Sequence, residues 1–156
     1  MKALLSVFDK TSVADFARVL HSLKYEILST GGTHRELANA KIPVKQISAA
    51  TGFPEILGGR VKTLHPNIHG GILARRNLPE DVAELSTHGI DPIDIVVGNL
   101  YPFREVSNKK GSNRDEVLEN IDIGGPTLIR AAAKNFPSVI VIVDPGDYGW
   151  IAEKIG

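Results

Sequence analysis

Short apolar runs alternate along this chain with stretches whose apolar residues recur every three or four positions. No other feature narrows the fold so far. A short apolar run fits a strand covered on both faces, and three-and-four spacing is the apolar stripe of a helix. The runs are Ala3–Val7, Tyr25–Ser29, Val44–Ile47, Ile93–Gly98 and Val139–Val143. Val13, Phe16, Ala17, Leu20 and Leu23 form one helical face, with Asp9, Thr11 or Ser12 able to cap it. Further helices are expected at His34–Ala40, Asn67–Ala74, Pro79–His88, Asn113–Ile121, Pro126–Asn135 and Asp147–Ile155. Gly89 ends the third of these, and Pro126 sits in the first turn of the fifth. Gly58-Gly59 reads as a turn and Val106–Arg114 as a surface loop. Strands separated by helices require crossovers, hence a parallel sheet with helices on both faces. The expected fold class is α/β: a three-layer sandwich with a parallel sheet of about five strands, in one domain spanning residues 1–156.

Composition excludes several functions. Eighteen basic residues balance 18 acidic ones, so the net charge of +0 offers no footprint for nucleic acid or an anionic membrane. The absence of cysteine removes disulfides, zinc–thiolate sites, iron–sulfur clusters and cysteine nucleophiles, and is compatible with a reducing cytoplasm. The opening Met1-Lys2-Ala3-Leu4-Leu5-Ser6 turns polar too soon for a signal peptide, and no apolar run approaches the ~18 residues of a membrane span.

In a parallel α/β sheet, ligands sit beyond the carboxyl ends of the strands. The chemically loaded segments fall there. Ser29-Thr30-Gly31-Gly32-Thr33 follows the second run, where free amides and hydroxyls suit a phosphate, or where the glycines simply make a tight turn with a threonine cap. Lys10 follows the first run on the same rim, as a compact cation or as a solvated helix start. Gly58-Gly59-Arg60-Val61-Lys62-Thr63-Leu64-His65-Pro66 gathers glycines, cations, a hydroxyl and a histidine, more than a mere connection needs. His65 and His69 have helical spacing, but Pro66 follows His65 and no HExxH glutamate is present. They are therefore read as structural, bonded to backbone, and no metal is assigned. Asp122 precedes Gly124-Gly125 as a helix cap or as an acceptor for a ligand amide. Tyr101 is a rim aromatic or a hydroxyl donor, and Arg130 and Lys134 share a helix face near its end.

Taken together and in order, these segments resemble one family. They are Ser6-Val7 with Asp9-Lys10-Thr11, Ser29-Thr30-Gly31-Gly32-Thr33, Thr51-Gly52-Phe53-Pro54-Glu55, the Gly58–Pro66 segment, Asn99-Leu100-Tyr101-Pro102-Phe103, and Ile121-Asp122-Ile123-Gly124-Gly125 running on through Arg130-Ala131-Ala132-Ala133-Lys134-Asn135. The chain resembles the IMP cyclohydrolase domain of the bifunctional AICAR transformylase/IMP cyclohydrolases over nearly its whole length. The Gly58–Pro66 segment is the specific part, since the Thr-Gly-Gly-Thr turn also occurs in methylglyoxal synthase and related regulatory domains.

The resemblance implies a methylglyoxal-synthase-like fold. It implies closure of the purine ring of 5-formamidoimidazole-4-carboxamide ribonucleotide (formylated AICAR) to IMP and water, with no cofactor. It assigns phosphate contacts to Ser6, Lys10, Thr30, Gly32 and Thr33, and nucleotide contacts to Arg60, Lys62 and Thr63. Asn99 and Tyr101 would line the base, and Ile123, Gly124 and Gly125 would offer backbone. Lys62, Tyr101, Asp122 and Lys134 are the implied catalytic residues, with Asp122 at the carboxamide and Lys134 at the formyl oxygen. A cytoplasmic homodimer is implied too. The family's larger transformylase domain lies outside this sequence, so no formyl transfer from a folate is expected of it. Two other classes compete: methylglyoxal synthase, and a non-catalytic nucleotide-binding module of the same fold.

Overall fold

A computed structural model describes residues 1–156. In chain order the elements are β1 (Lys2–Ser6), α1 (Val13–Ser22), β2 (Glu26–Ser29), α2 (Gly31–Asn39), β3 (Lys45–Gln46), α3 (Ile47–Thr51), α4 (Pro66–Leu73), α5 (Pro79–Thr87), β4 (Ile95–Gly98), α6 (Phe103–Asn108), α7 (Arg114–Glu119), α8 (Gly124–Lys134), β5 (Ile140–Ile142) and α9 (Tyr148–Ile155). Short 3-10 turns occupy Leu57–Gly59 and Pro145–Asp147.

The five strands form one sheet in the order β3-β2-β1-β4-β5, and every pairing is parallel. β1 lies at the centre, with Leu5 beside Ser29 of β2 and Ser6 beside Gly98 of β4. Side-chain alternation splits the core in two. Ala3, Leu5, Ile27, Ile95, Val97 and Ile142 face α1, α2 and α9, where Phe16 stacks on Tyr148 at 4.8 Å between ring centroids. Leu4, Leu28 and Val96 face the other way, onto Ile68 and Ile72 of α4 and Leu128, Ala131 and Ala132 of α8. Burial on both faces explains why the strands read as continuous apolar runs.

The sheet agrees with the sequence reading; several details correct it. Val106–Arg114 is not all loop, because its first residues complete α6. α7 falls within the helix expected at Asn113–Ile121, whereas α6 buries no residue fully and no apolar periodicity announces it. No side chain caps α1: Ser12 is left-handed at φ 55, and Asp9 Oδ1 instead accepts from the Thr11 amide and hydroxyl at 2.9 and 2.7 Å. The third strand shrinks to two residues because Ile47 already begins α3. α8 starts two residues before Pro126, at Gly124.

Candidate active site

The order of the strands reverses at β1, whose neighbours β2 and β4 carry the chain away in opposite directions. At such a switch point the following loops splay apart and leave a crevice. Here a cavity of about 540 Å³ opens between them, within the ~300–1,000 Å³ range of small-molecule sites.

Its base comes from Ser6 at the end of β1 and from the turn after β2. Ser29 Oγ donates to the Leu5 carbonyl at 2.7 Å, fixing this turn to the central strand. Gly31 adopts φ +55, which lets α2 begin at once, and no side chain caps that helix. The first amides of a helix have no intrahelical partner, so Gly31, Gly32 and Thr33 line the cavity as an anion cradle. Thr33 itself is buried, and its hydroxyl is committed to backbone. It accepts from the Val7 amide and donates to the Val7 carbonyl, both at 3.0 Å. That leaves its amide, and not its hydroxyl, for the phosphate contact expected of Thr33. Lys10 does not line the cavity but flanks it. Its ammonium donates to the Phe8 carbonyl at 3.0 Å and would lie 3.5 Å from a Cβ on Gly32.

One wall is the segment Gly58–Leu64, closed into a tight loop by an antiparallel bridge between Ile56 and Val61. Leu57, Gly58 and Gly59 all have positive φ: 54°, 64° and 88°. The Lys62 side chain runs through a slot left by two glycines. A Cβ on Gly59 would stand 2.5 Å from Lys62 Cε, and one on Gly31 3.3 Å from its Nζ. Arg60 pairs with Glu119 of α7 across the mouth. Thr63 is buried, with Oγ1 3.0 Å from where a Gly124 Cβ would be.

The opposite wall is the end of α7 and the start of α8. Asp122 Oδ1 accepts from the Gly125 amide at 2.9 Å, so the carboxylate does act as a cap. A Cβ on Gly125 would collide with Asp122 Oδ2 at 2.5 Å and Leu100 Cδ2 at 2.8 Å, which is why glycine stands there. Asn99 also works on backbone. Its Oδ1 accepts from the Phe8 and Asp9 amides at 2.7 and 2.8 Å, and its Nδ2 donates to the Asp9 carbonyl at 3.0 Å. It ties the ends of β1 and β4 together and lines the cavity as it does so. Tyr101 is half-exposed on the rim, edge-on to Phe8 at 5.4 Å.

Thirteen of the 15 residues expected at the site therefore line this one cavity: Ser6, Thr30, Gly32, Thr33, Arg60, Lys62, Thr63, Asn99, Tyr101, Asp122, Ile123, Gly124 and Gly125. Lys134 does not. It is exposed on the last turn of α8, and that helix is unbroken. Ten residues at ~1.5 Å each put it roughly 15 Å along the axis from Gly124. His65 caps α4 by accepting at Nδ1 from the Asn67 amide at 3.1 Å, as expected of a structural histidine; His69 Nε2 is buried and has no partner. Reading the residues one by one missed Glu55 and Glu119. Glu55 accepts the Thr30 hydroxyl proton. It lies in a segment that the resemblance singled out without a role. Nothing local marks Glu119, whose partner Arg60 is 59 residues away.

A central parallel strand, a glycine turn with free helix amides beside it and a basic loop over it frame a cavity of small-molecule size in a methylglyoxal-synthase-type fold. The chain belongs to the MGS-like domain family, which matches residues 12–127. It is 58% identical over 154 residues, 99% of its length, to the bifunctional purine biosynthesis proteins PurH of Brucella ovis and Brucella canis. The chain spans 28% of the length of these curated relatives, at their N-terminal end. Among solved structures it superposes on ForH with a TM-score of 0.83 at 38% identity, covering 98% of this chain and 77% of that one. No helix is long and apolar enough to cross a membrane.

Proposed function

We propose that this chain acts in purine biosynthesis as an IMP cyclohydrolase. The observation that supports this most is the meeting, in one cavity, of the Thr30–Thr33 cradle, the slotted Lys62, Tyr101 and the Asp122–Gly125 turn. The likeness to PurH over 99% of the chain supports the same reading. The phosphate of the formylated ribonucleotide would rest on the α2 amides, with Lys10 nearby. The base would extend toward Asp122 and Tyr101.

In the reaction the carboxamide nitrogen attacks the formyl carbon. A C–N bond forms and the formyl oxygen takes a proton. The resulting carbinolamine then loses that oxygen as water, together with the proton left on nitrogen. Asp122 is the candidate acceptor for the amide proton, because only one carboxylate oxygen is needed for its cap. Lys62 is the candidate donor to the oxygen that becomes negative. Holding the two groups in contact supplies several kcal/mol, and an aimed cation about 3 kcal/mol more. Lys134 stands off the cavity of its own chain, so in the homodimer we infer it would reach a site only from the partner copy.

Ultraviolet detection of IMP formed from the formylated substrate tests the proposal. Dihydroxyacetone phosphate serves as the parallel substrate, since a methylglyoxal synthase would hold it by its phosphate on the same cradle and need a base such as Asp122 to remove a carbon-bound proton as phosphate leaves. Binding of IMP with turnover of neither substrate would refute catalysis in favour of a nucleotide-sensing module.

A further inference from the structure

Two groups expected to hold the nucleotide are held here by carboxylates of the chain itself. One of these contacts has a consequence. A threonine hydroxyl carries a single proton to donate. Thr30 is 6% exposed, and its Oγ1 gives that proton to Glu55 Oε1. A phosphate monoester dianion can only accept. Thr30 thus cannot serve Glu55 and a phosphate together.

The surroundings sharpen the conflict. Thr30 is the residue before α2, at the centre of the anion cradle. The second Glu55 oxygen points to the open side of Gly59, 3.7 Å from where a Cβ would sit, and Lys62 Nζ comes to 3.1 Å of the same point. A carboxylate is therefore seated on the hydroxyl that a phosphate would use, with its second oxygen and the Lys62 ammonium both beside Gly59. Two anions at such range repel each other, and repulsion is strong where water is partly excluded. Glu55 is also an exposed residue on a surface segment, free to leave without cost to the core.

We propose that Glu55 is the resident counterion of the phosphate subsite, exchanged for the phosphate when a nucleotide binds. This rests on reading the cavity as a phosphate site. Glu55 immediately precedes the Ile56–Val61 bridge, so its release moves the base of the loop that carries Arg60 and Lys62. Phosphate binding is thereby coupled to the placement of the Lys62 ammonium. Glu55 is a positioning residue that acts through Thr30 and Lys62 and lowers affinity for the anion it resembles.

The test is calorimetric titration of inorganic phosphate, and separately of IMP, into the wild-type chain, Glu55→Gln and Glu55→Ala at matched pH and salt. Both variants should bind phosphate about tenfold more tightly than wild type, the gain expected from removing one negative charge beside the ligand. Hydrogen exchange supplies a readout that general loosening would not reproduce. Phosphate should alter exchange across residues 52–64 of the wild type and change it little in Glu55→Ala, where nothing remains to displace. Unchanged or weaker phosphate binding in both variants would overturn the proposal. An altered loop response with unaltered affinity would overturn it as well. Failure of the cyclohydrolase reading is separable. In that case tighter phosphate binding persists in the variants while no IMP is formed by any of them.

Discussion

Gly59→Ala offers the sharpest test of the Lys62 slot, because Gly58→Ala supplies its own control. Both glycines have positive φ, 64° at Gly58 and 88° at Gly59, so alanine at either carries backbone strain of about 1–2 kcal/mol. For a domain of this size that corresponds to a fall in Tm of roughly 2–8 °C. They differ in what the new methyl group meets. At Gly58 nothing lies within 4 Å. At Gly59 the methyl would stand 2.5 Å from Lys62 Cε, against an ordinary contact of 3.4–4 Å, so Lys62 must withdraw by about 1 Å. A displacement of that size costs on the order of 10²-fold in kcat. The expected outcome is two variants of similar Tm, of which Gly58→Ala keeps most of its IMP-forming activity and Gly59→Ala loses nearly all. Initial rates by ultraviolet absorbance and thermal unfolding by circular dichroism decide it. Equal loss of kcat in both variants would show that loop strain governs the site. Full activity in Gly59→Ala would remove Lys62 from the chemistry.

Asp122→Asn keeps an acceptor for the Gly125 amide, as asparagine caps as well as aspartate, but removes the charge. Stability should hold while kcat falls by about 10²-fold or more; retained kcat would leave the residue as a cap alone. Thr33→Val strips both hydrogen bonds from the buried Val7 backbone and should cost about 1–3 kcal/mol in urea unfolding. Asp81 is held down to about 2 by Arg75, chiefly through the side-chain hydrogen bonds at 2.8 and 2.9 Å. A carboxyl depressed in the folded state contributes stability above its unfolded value that is lost as pH falls toward 2, so NMR titration should find Asp81 ionising near 2, and Arg75→Gln should raise it. Lys134→Ala should leave the affinity for IMP within about twofold at protein concentrations where sedimentation shows single copies, given that its ammonium lies outside the cavity of its own chain.

The amino-acid sequence by itself determined the layered architecture and the residues around the cavity. Apolar runs buried on both faces permit only a covered parallel sheet, and the glycine turns had to fall where strands end. The family resemblance carried most of the site, because its segments keep their order along the chain. What each side chain does there was decided by tertiary structure. The Asp122 cap on the Gly125 amide, three residues on, was one of the two readings the sequence offered, whereas Thr33 and Asn99 read as ligand contacts yet spend hydrogen bonds on backbone: of Val7, and of Phe8 and Asp9. Those backbone groups are exposed only because β1 ends between β2 and β4, a pairing made across up to 91 residues of sequence. Lys134 shares the last motif with Asp122, but an unbroken helix carries it away from the cavity. The carboxylates of Glu55 and Glu119 reach Thr30 and Arg60 only after the loops have folded over the sheet. Periodicity reports which face of an element is buried. Hydrogen-bond partners depend on which polar groups the packed chain leaves unsatisfied, and that is fixed by contacts distant in sequence.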